Sequence, residues 1–359
     1  MVKEAIQRVV NLLREFGSGV HGTPFFTENG YRALDFDRAN FHAIGNLMSE
    51  SKGKVVCVDA GNLEILSTPA FSVSVIRVAG ITFKGLNRTR NRFPQRVECF
   101  CVVKTYFEGG EKKFQAIYFP VKKEHAEFLP SSYTLSSGVR SVEALWELNL
   151  RPLSAVSNCA RKYAEWFYLN RILDFMEEGD VVLRDGVFQT GDEIEAGIAK
   201  EVCEKARSKG VGLTALAKTT SLLTTTGLPL PQVLQTLAEQ WKIEAPWYYF
   251  PLAENLEPES NADIYFVKFS NSMNYAFRFE VFRPTLGEPF SLLSLLQAHS
   301  RNCIFPGYPY ILLATDKIAR VEMKEGKTLY LRLLSMLGSD RKIERALRAT
   351  DAHEIVSRY

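Results

Sequence analysis

Residues 181–217 read VVLRDGVFQTGDEIEAGIAKEVCEKARSKGVGLTALA, and this stretch decides the fold. Val181–Asp185 is a short apolar run closed at once by Gly186, the pattern of a buried strand. Residues 192–209 read as a helix, and residues 211–217 (VGLTALA) as another buried strand. Strand, helix and strand at this spacing form a βαβ unit, because parallel neighbours need a crossover of about a dozen residues or more.

Working outward, residues 154–178 form a long helix rich in Ala, Leu, Trp and Tyr that stops at Gly179. Upstream of it, Lys54–Asp59 (KVVCVD) reads as a buried strand closed by an Ala60-Gly61-Asn62 turn. Residues 63–83 and 96–107 carry β-branched and aromatic residues in partial alternation, and Gly109-Gly110 marks a hairpin leading to a strand near 113–119. Successive strands with no helix between them predict an antiparallel meander. Ile6, Val9, Val10, Leu12, Leu13 and Phe16 repeat at helical spacing over 2–16, and a second short helix is expected around 38–50. Downstream, 230–242 reads as helix, 247–252 and 263–282 as strands, and 290–349 as mostly helical. A meander followed by helix, strand, helix, strand predicts an α/β fold: a mixed sheet flanked by helices, with helical extensions at both ends.

The chain has 359 residues, 46% hydrophobic and 24% charged, enough for a sizeable core and unlike a disordered, collagenous or disulfide-framework chain. Its net charge of +3 does not by itself announce a nucleic-acid partner, so such a signal must come from local clustering. Cys57, Cys99, Cys101, Cys159, Cys203 and Cys303 form no C-x-x-C pair, which argues against structural zinc. They read as small buried hydrophobes of a reducing compartment. The amphipathic, charged N-terminus lacks the apolar segment of a signal peptide, and no run reaches the length of a membrane span. The expected location is the cytoplasm.

Two strands end alike, in an apolar run, an aspartate and a small-residue turn: Asp59-Ala60-Gly61 and Asp185-Gly186. Either motif alone is equally an ordinary turn. Together they place two carboxylates on rigid elements, where they repel unless a cation or proton sits between them, and a hard divalent metal site is built in this way. Glu165 lies in the otherwise apolar AEWFYL of the long helix and must pair, snorkel or bind something. One such partner is Arg161, four residues earlier.

These residues resemble the NurA family, nucleases that work with the HerA translocase on DNA ends. Asp59 opens the match, although the family usually has Asp-Gly-Ser where this chain has Asp59-Ala60-Gly61. Glu165, Asp185-Gly186, Ala217-Lys218-Thr219-Thr220 and Gly307-Tyr308-Pro309 follow in the family's order, over about residues 50–325. Where the family commonly carries His, eight residues after the tyrosine, this chain has Asp316.

The resemblance implies an RNase H-like core and a metal-dependent phosphodiester hydrolase using Mn2+ or Mg2+. The implied activity is that of a 5'-3' exonuclease, with single-strand endonuclease activity as a further possibility, acting in end resection for recombination repair. It also implies a homodimer docked on a HerA hexamer. By the same resemblance Asp59, Glu165 and Asp185 hold the metal, Lys218 contacts a phosphate or developing charge, and Tyr308 bonds a phosphate or stacks on a base; Asp316, where the family has His, can replace it as an oxygen ligand to a hard ion. Asp316 is expected about two helical turns beyond Tyr308 on nearly the same face. Two alternatives stand beside this reading: a degenerate NurA-like DNA-binding or scaffold subunit, and an RNase H-like or Argonaute-like enzyme acting on RNA.

The clearest basic cluster is FKGLNRTRNRFPQR at 83–96, which carries Lys84, Arg88, Arg90, Arg92 and Arg96 and no acidic residue. It reads as a loop able to track a DNA backbone, with Phe83 and Phe93 as stacking groups, or as a solvated hairpin tip. A second basic run, Arg341, Lys342, Arg345 and Arg348, falls in a helical tail. The whole is expected to be one domain: a helical segment over 1–50, a core over 51–325 and a basic tail over 326–359.

Overall fold

The computed structural model describes residues 2–17, 20–27, 30–45, 53–136, 152–302 and 305–338. An N-terminal helix α1 (Val2–Gly17) and an edge strand β1 (Phe41–Ala43) precede the meander β2 (Val55–Ser67), β3 (Phe71–Lys84), β4 (Arg96–Glu108), β5 (Glu111–Pro120) and β6 (Ser132–Ser136). The long helix α2 (Pro152–Ile172) leads into β7 (Val181–Asp185), α3 (Glu193–Lys209) and β8 (Gly212–Ala217). Then come α4 (Leu230–Gln240), β9 (Trp247–Tyr249), β10 (Asp263–Lys268) and β11 (Phe277–Val281). Three helices follow: α5 (Phe290–His299), α6 (Tyr310–Ala319) and α7 (Met323–Leu337).

The strands form one mixed sheet in the order β1-β9-β10-β11-β8-β7-β2-β3-β4-β5-β6. Its centre is the RNase H-like arrangement. The meander strands β2, β3 and β4 pair antiparallel, while β7 runs parallel to β2 and β8 parallel to β7. Helix α3 supplies the crossover. Asp192 caps it by accepting from the Glu195 N–H at 2.9 Å, and it closes at Gly210, whose N–H returns to the Ala206 and Arg207 carbonyls.

Alternation along the central strands divides the core. Val56, Val58 and Val182 face α2 and α3, with Tyr163, Trp166, Leu169 and Ile172 of α2 fully buried against them. Cys57, Leu183 and Leu216 face α5 and α6. Each large apolar side chain buried in these layers contributes roughly 1.5–3 kcal/mol. Cys57, Cys99, Cys101 and Cys159 are buried, Cys203 is half-buried, and all five are free thiols; Cys303 lies outside the described residues.

Two expectations are corrected. Ala60-Gly61-Asn62 is not a turn, because β2 continues through it to Ser67, paired with β3 except for a bulge between Glu64 and Leu66. Gly61 serves close approach instead: a Cβ there would lie 2.5 Å from the Ala319 carbonyl at the end of α6. Residues 38–45 do not form the helix expected around 38–50, whose remaining positions, 46–50, lie outside the described residues. A 3-10 turn at Arg38–Asn40, capped by Asp37, passes into β1, whose Phe41 packs edge-on against Trp247 and Tyr249. Cross-strand aromatic packing outweighs local helical preference there. Helices over 290–299, 310–319 and 323–337 make the described part of 290–349 mostly helical, as expected. The basic run 341–348 lies outside the described residues. No helix among the described residues is long and apolar enough to cross a membrane.

Candidate metal centre

Parallel register brings the two strand aspartates together. Val58 of β2 stands opposite Arg184 of β7, so Asp59 and Asp185 are the next residues on adjacent strands. Asp185 pairs in turn with Leu216 of β8, and Lys218 lies two residues on, just past the strand end. By alternation, Asp59, Asp185 and Lys218 share the α6 face with Cys57, Leu183 and Leu216. Gly186, at φ +141°, turns the chain away directly after Asp185.

From α6 comes Asp316. One carboxylate oxygen each of Asp59, Asp185 and Asp316 lies within 4.8 Å of the others. The Lys218 ammonium bridges two of them, at 2.7 Å from Asp185 and 2.7 Å from Asp316. Asp316 also pairs with Arg320 at 2.6 Å, so it serves both the cluster and an i,i+4 ion pair. Asp59 accepts from the Ala60 N–H at 2.7 Å.

Tyr308 precedes α6 rather than lying on it, because Pro309 caps the helix and begins it at Tyr310. The Tyr308 ring still reaches the cluster, 5.9 Å from the Lys218 ammonium. Its buried hydroxyl has no hydrogen-bond partner among the described residues.

The electrostatics describe a concentration of negative charge. Burial, reinforced by Asp185, Glu165 and Asp316, pushes Asp59 up to about 8. Burial likewise raises Asp185 to about 6, against the pull of Lys218. Asp316 goes the other way: burial raises it, but Lys218 and Arg320 outweigh that and hold it below the ordinary carboxylate range. Burial and the carboxylates push the Tyr308 hydroxyl up, so it remains a donor. Two carboxylates that resist ionising together, beside a third that ionises readily, suit a hard divalent cation, which binds carboxylates at about 2.0–2.6 Å.

Glu165 departs from the expected ligand set. It sits on the α2 side of the sheet, 1% exposed, with Oε1 accepting from Arg184 Nε at 2.7 Å and Oε2 from Arg161 Nη1 at 2.9 Å. Its charge raises both strand aspartates, yet its oxygens are outside the converging group. The cause is Arg184, which points opposite to Asp185 by alternation and lies 4.3 Å over the Trp166 ring, buried and in need of a counter-charge. The two guanidiniums also reach the backbone beside each strand aspartate: Arg161 donates to the Ala60 carbonyl at 3.2 Å, and Arg184 to that of Val187. Sequence reading foresaw the Arg161 pair and missed Arg184. The available signal was a charge inside the apolar run VVLRD.

Glu98 of β4 is committed to Arg77 at 2.5 Å. In the basic loop Lys84, Arg88, Arg90, Arg92 and Arg96 are all exposed, and Arg92 pairs with Glu177 at 2.7 Å. Phe83 and Phe93 are not surface stacking groups. Both are buried: Phe83 of β3 packs edge-on against His299, and Phe93, beyond that strand, packs edge-on against Tyr168 in the other core layer.

No family model matches the sequence, and no curated protein matches it significantly. Among solved structures, the chain is similar in fold to the NurA nuclease from Sulfolobus solfataricus, at 10% identity over 93% of this chain and 94% of that one, with a TM-score of 0.49. It is also similar to the catalytic domain of human Endonuclease V, at 12% identity over 92% and 99% of the two chains with a TM-score of 0.33. A third is Aquifex aeolicus Argonaute, at 11% identity over 76% of this chain and 30% of that one with a TM-score of 0.32.

Proposed function

We propose that this chain is a metal-dependent phosphodiester hydrolase acting on DNA. One observation carries the reading: Asp59 within β2, Asp185 at the end of the parallel strand β7 and Asp316 of α6 converge beside Lys218. Asp59, Asp185 and Asp316 would hold Mn2+ or Mg2+, which when bound lowers the pKa of water and polarises a phosphoryl oxygen. Lys218, mobilised from its carboxylates, offers its ammonium to a phosphate oxygen. The Tyr308 hydroxyl, unpartnered in the cluster, donates to an oxygen brought there. The exposed arginines of the 83–96 loop supply sequence-independent contacts to the strand.

The sequence motifs extend the reading to a NurA-type enzyme: a homodimer working with a HerA-type translocase at DNA ends, as an exonuclease in end resection. One observation favours a second reading. Lys218 already neutralises two of the three carboxylates, which would suit a DNA-binding subunit with little catalysis.

The deciding experiment is cleavage of end-labelled single- and double-stranded DNA and RNA with Mn2+, Mg2+ or EDTA. Metal-dependent DNA cleavage that is lost in Asp59→Asn supports the enzyme. Binding without cleavage at any metal concentration supports the second reading, and preferential cleavage of RNA overturns the choice of DNA.

A further inference from the structure

On the other face of the sheet from Asp59 and Asp185, a cavity of about 780 Å³ opens between α3 and β11. Register places Arg278 and Glu280 of β11 opposite Ala217 and Ala215, hence on the α3 side, where they form the cavity floor. They are 5% and 2% exposed and pair at 2.5 Å. Glu280 Oε2 also accepts from the Phe188 N–H at 2.6 Å, whereas Arg278 Nε has no hydrogen-bond partner among the described residues. A buried guanidinium N–H without a partner is costly to leave unsatisfied, so the pair is incompletely satisfied by the protein alone.

Three features fix the ligand's chemistry. Its volume lies within the range of about 300–1,000 Å³ typical of small-molecule sites. The charges on its lining are balanced, since Arg278 faces Glu280, Arg207 faces Glu259 at 2.6 Å and Lys200 lies 4.0 Å from Glu204. Such a lining offers no net positive field to a free phosphate. The partly exposed rings of Phe188 and Tyr31 give flat apolar walls above a floor formed by the Arg278 guanidinium, a donor group, beside the Glu280 carboxylate, an acceptor group. Nucleobases are flat, neutral and carry an acceptor next to a donor on one edge.

We propose that this cavity binds a nucleobase, stacked on Phe188 and bonded edge-on by Arg278 and Glu280. The base comes either from a free nucleoside or from an unstacked position of a nucleic-acid strand. The inference does not depend on the hydrolase reading, because it uses neither the aspartate cluster nor a metal.

The test is calorimetric titration of the full chain in EDTA with guanosine, adenosine, cytidine and uridine, and separately with a short single-stranded oligonucleotide. Two variants accompany it. Glu280→Gln removes the floor charge, and Ala196→Trp, at an exposed α3 position on the cavity wall, narrows the space without touching the core. Saturable binding of at least one nucleoside, weakened about tenfold or more by Ala196→Trp, supports the proposal with a free nucleoside as source. Oligonucleotide binding weakened to the same degree by Ala196→Trp, with no nucleoside binding, supports it with a strand as source. Should Glu280→Gln fail to fold, Ala196→Trp alone decides. The proposal is overturned if no nucleoside binds and oligonucleotide affinity is the same in parent and Ala196→Trp, or if nucleosides bind both proteins equally.

Discussion

Replacing Glu165 by Gln takes one negative charge from between two guanidiniums while changing almost no volume. The cost follows from burial. Glu165 and Arg184 have side chains 1% and 5% exposed, so the charge left on Arg184 has no water to turn to. Removing one partner of such a pair costs about 3–5 kcal/mol. Arg161 is 19% exposed and can rotate outward, and the Gln carbonyl can still accept from Arg184 Nε, so the expected loss lies near the lower end, about 3 kcal/mol. The assay is urea unfolding in EDTA, read as a lower midpoint at unchanged slope. The brace predicts that loss in the metal-free protein, with Mn2+ affinity far less affected than by a change at Asp59, Asp185 or Asp316. A metal-ligand role for Glu165 predicts the reverse, because the metal-free site would lose a repelling charge and Mn2+ binding would drop as steeply as in Asp59→Asn. Unchanged stability in EDTA together with that drop would refute the brace.

Asp59→Asn and Asp185→Asn should each abolish DNA cleavage with the fold retained, as read by circular dichroism beside the nuclease assay. With Asp59 at about 8 and Asp185 at about 6, both above their unfolded values near 4, the folded chain holds more protons than the unfolded chain across that window. Stability of the metal-free protein should therefore fall as pH rises from about 4 to 8, and saturating Mn2+ should remove the fall; denaturation curves that do not change with pH would contradict the shared burial of these carboxylates. Asp316→Ala should raise the metal concentration needed for half-maximal cleavage more than it lowers the saturated rate, whereas an unchanged metal requirement would leave Asp316 as a partner of Arg320 and Lys218 only. Replacing Arg88, Arg90 and Arg92 by Ala should flatten the log–log salt dependence of DNA binding by about 0.7–0.9 per lost phosphate contact. Because Arg92 is engaged by Glu177, the total should be nearer two contacts than three.

Periodicity and turn chemistry were enough to read the βαβ unit at 181–217, the meander and its Gly109-Gly110 hairpin, and the helices at 2–17, 193–209 and 230–240, because those signals are local. Asp59, Asp185, Lys218, Tyr308 and Asp316 stood out in sequence by type and order, and the fold brings them together. Register alone decided how. Parallel pairing of β2 with β7 sets Asp59 beside Asp185, and the same alternation turns Arg184 to the opposite face. There Arg184, a buried cation, draws Glu165 away from the aspartates, an outcome that depends on which face of a sheet two distant residues share. Gly61 shows the same limit, since its neighbours in sequence suggest a turn while the Ala319 carbonyl, 258 residues away, explains the missing side chain. Sequence determined which residues carry charge and most of the segments that form strands and helices. Only the tertiary structure decided which charges meet, because an ion pair across a sheet is fixed by strand register and burial, which act between segments that no local pattern connects.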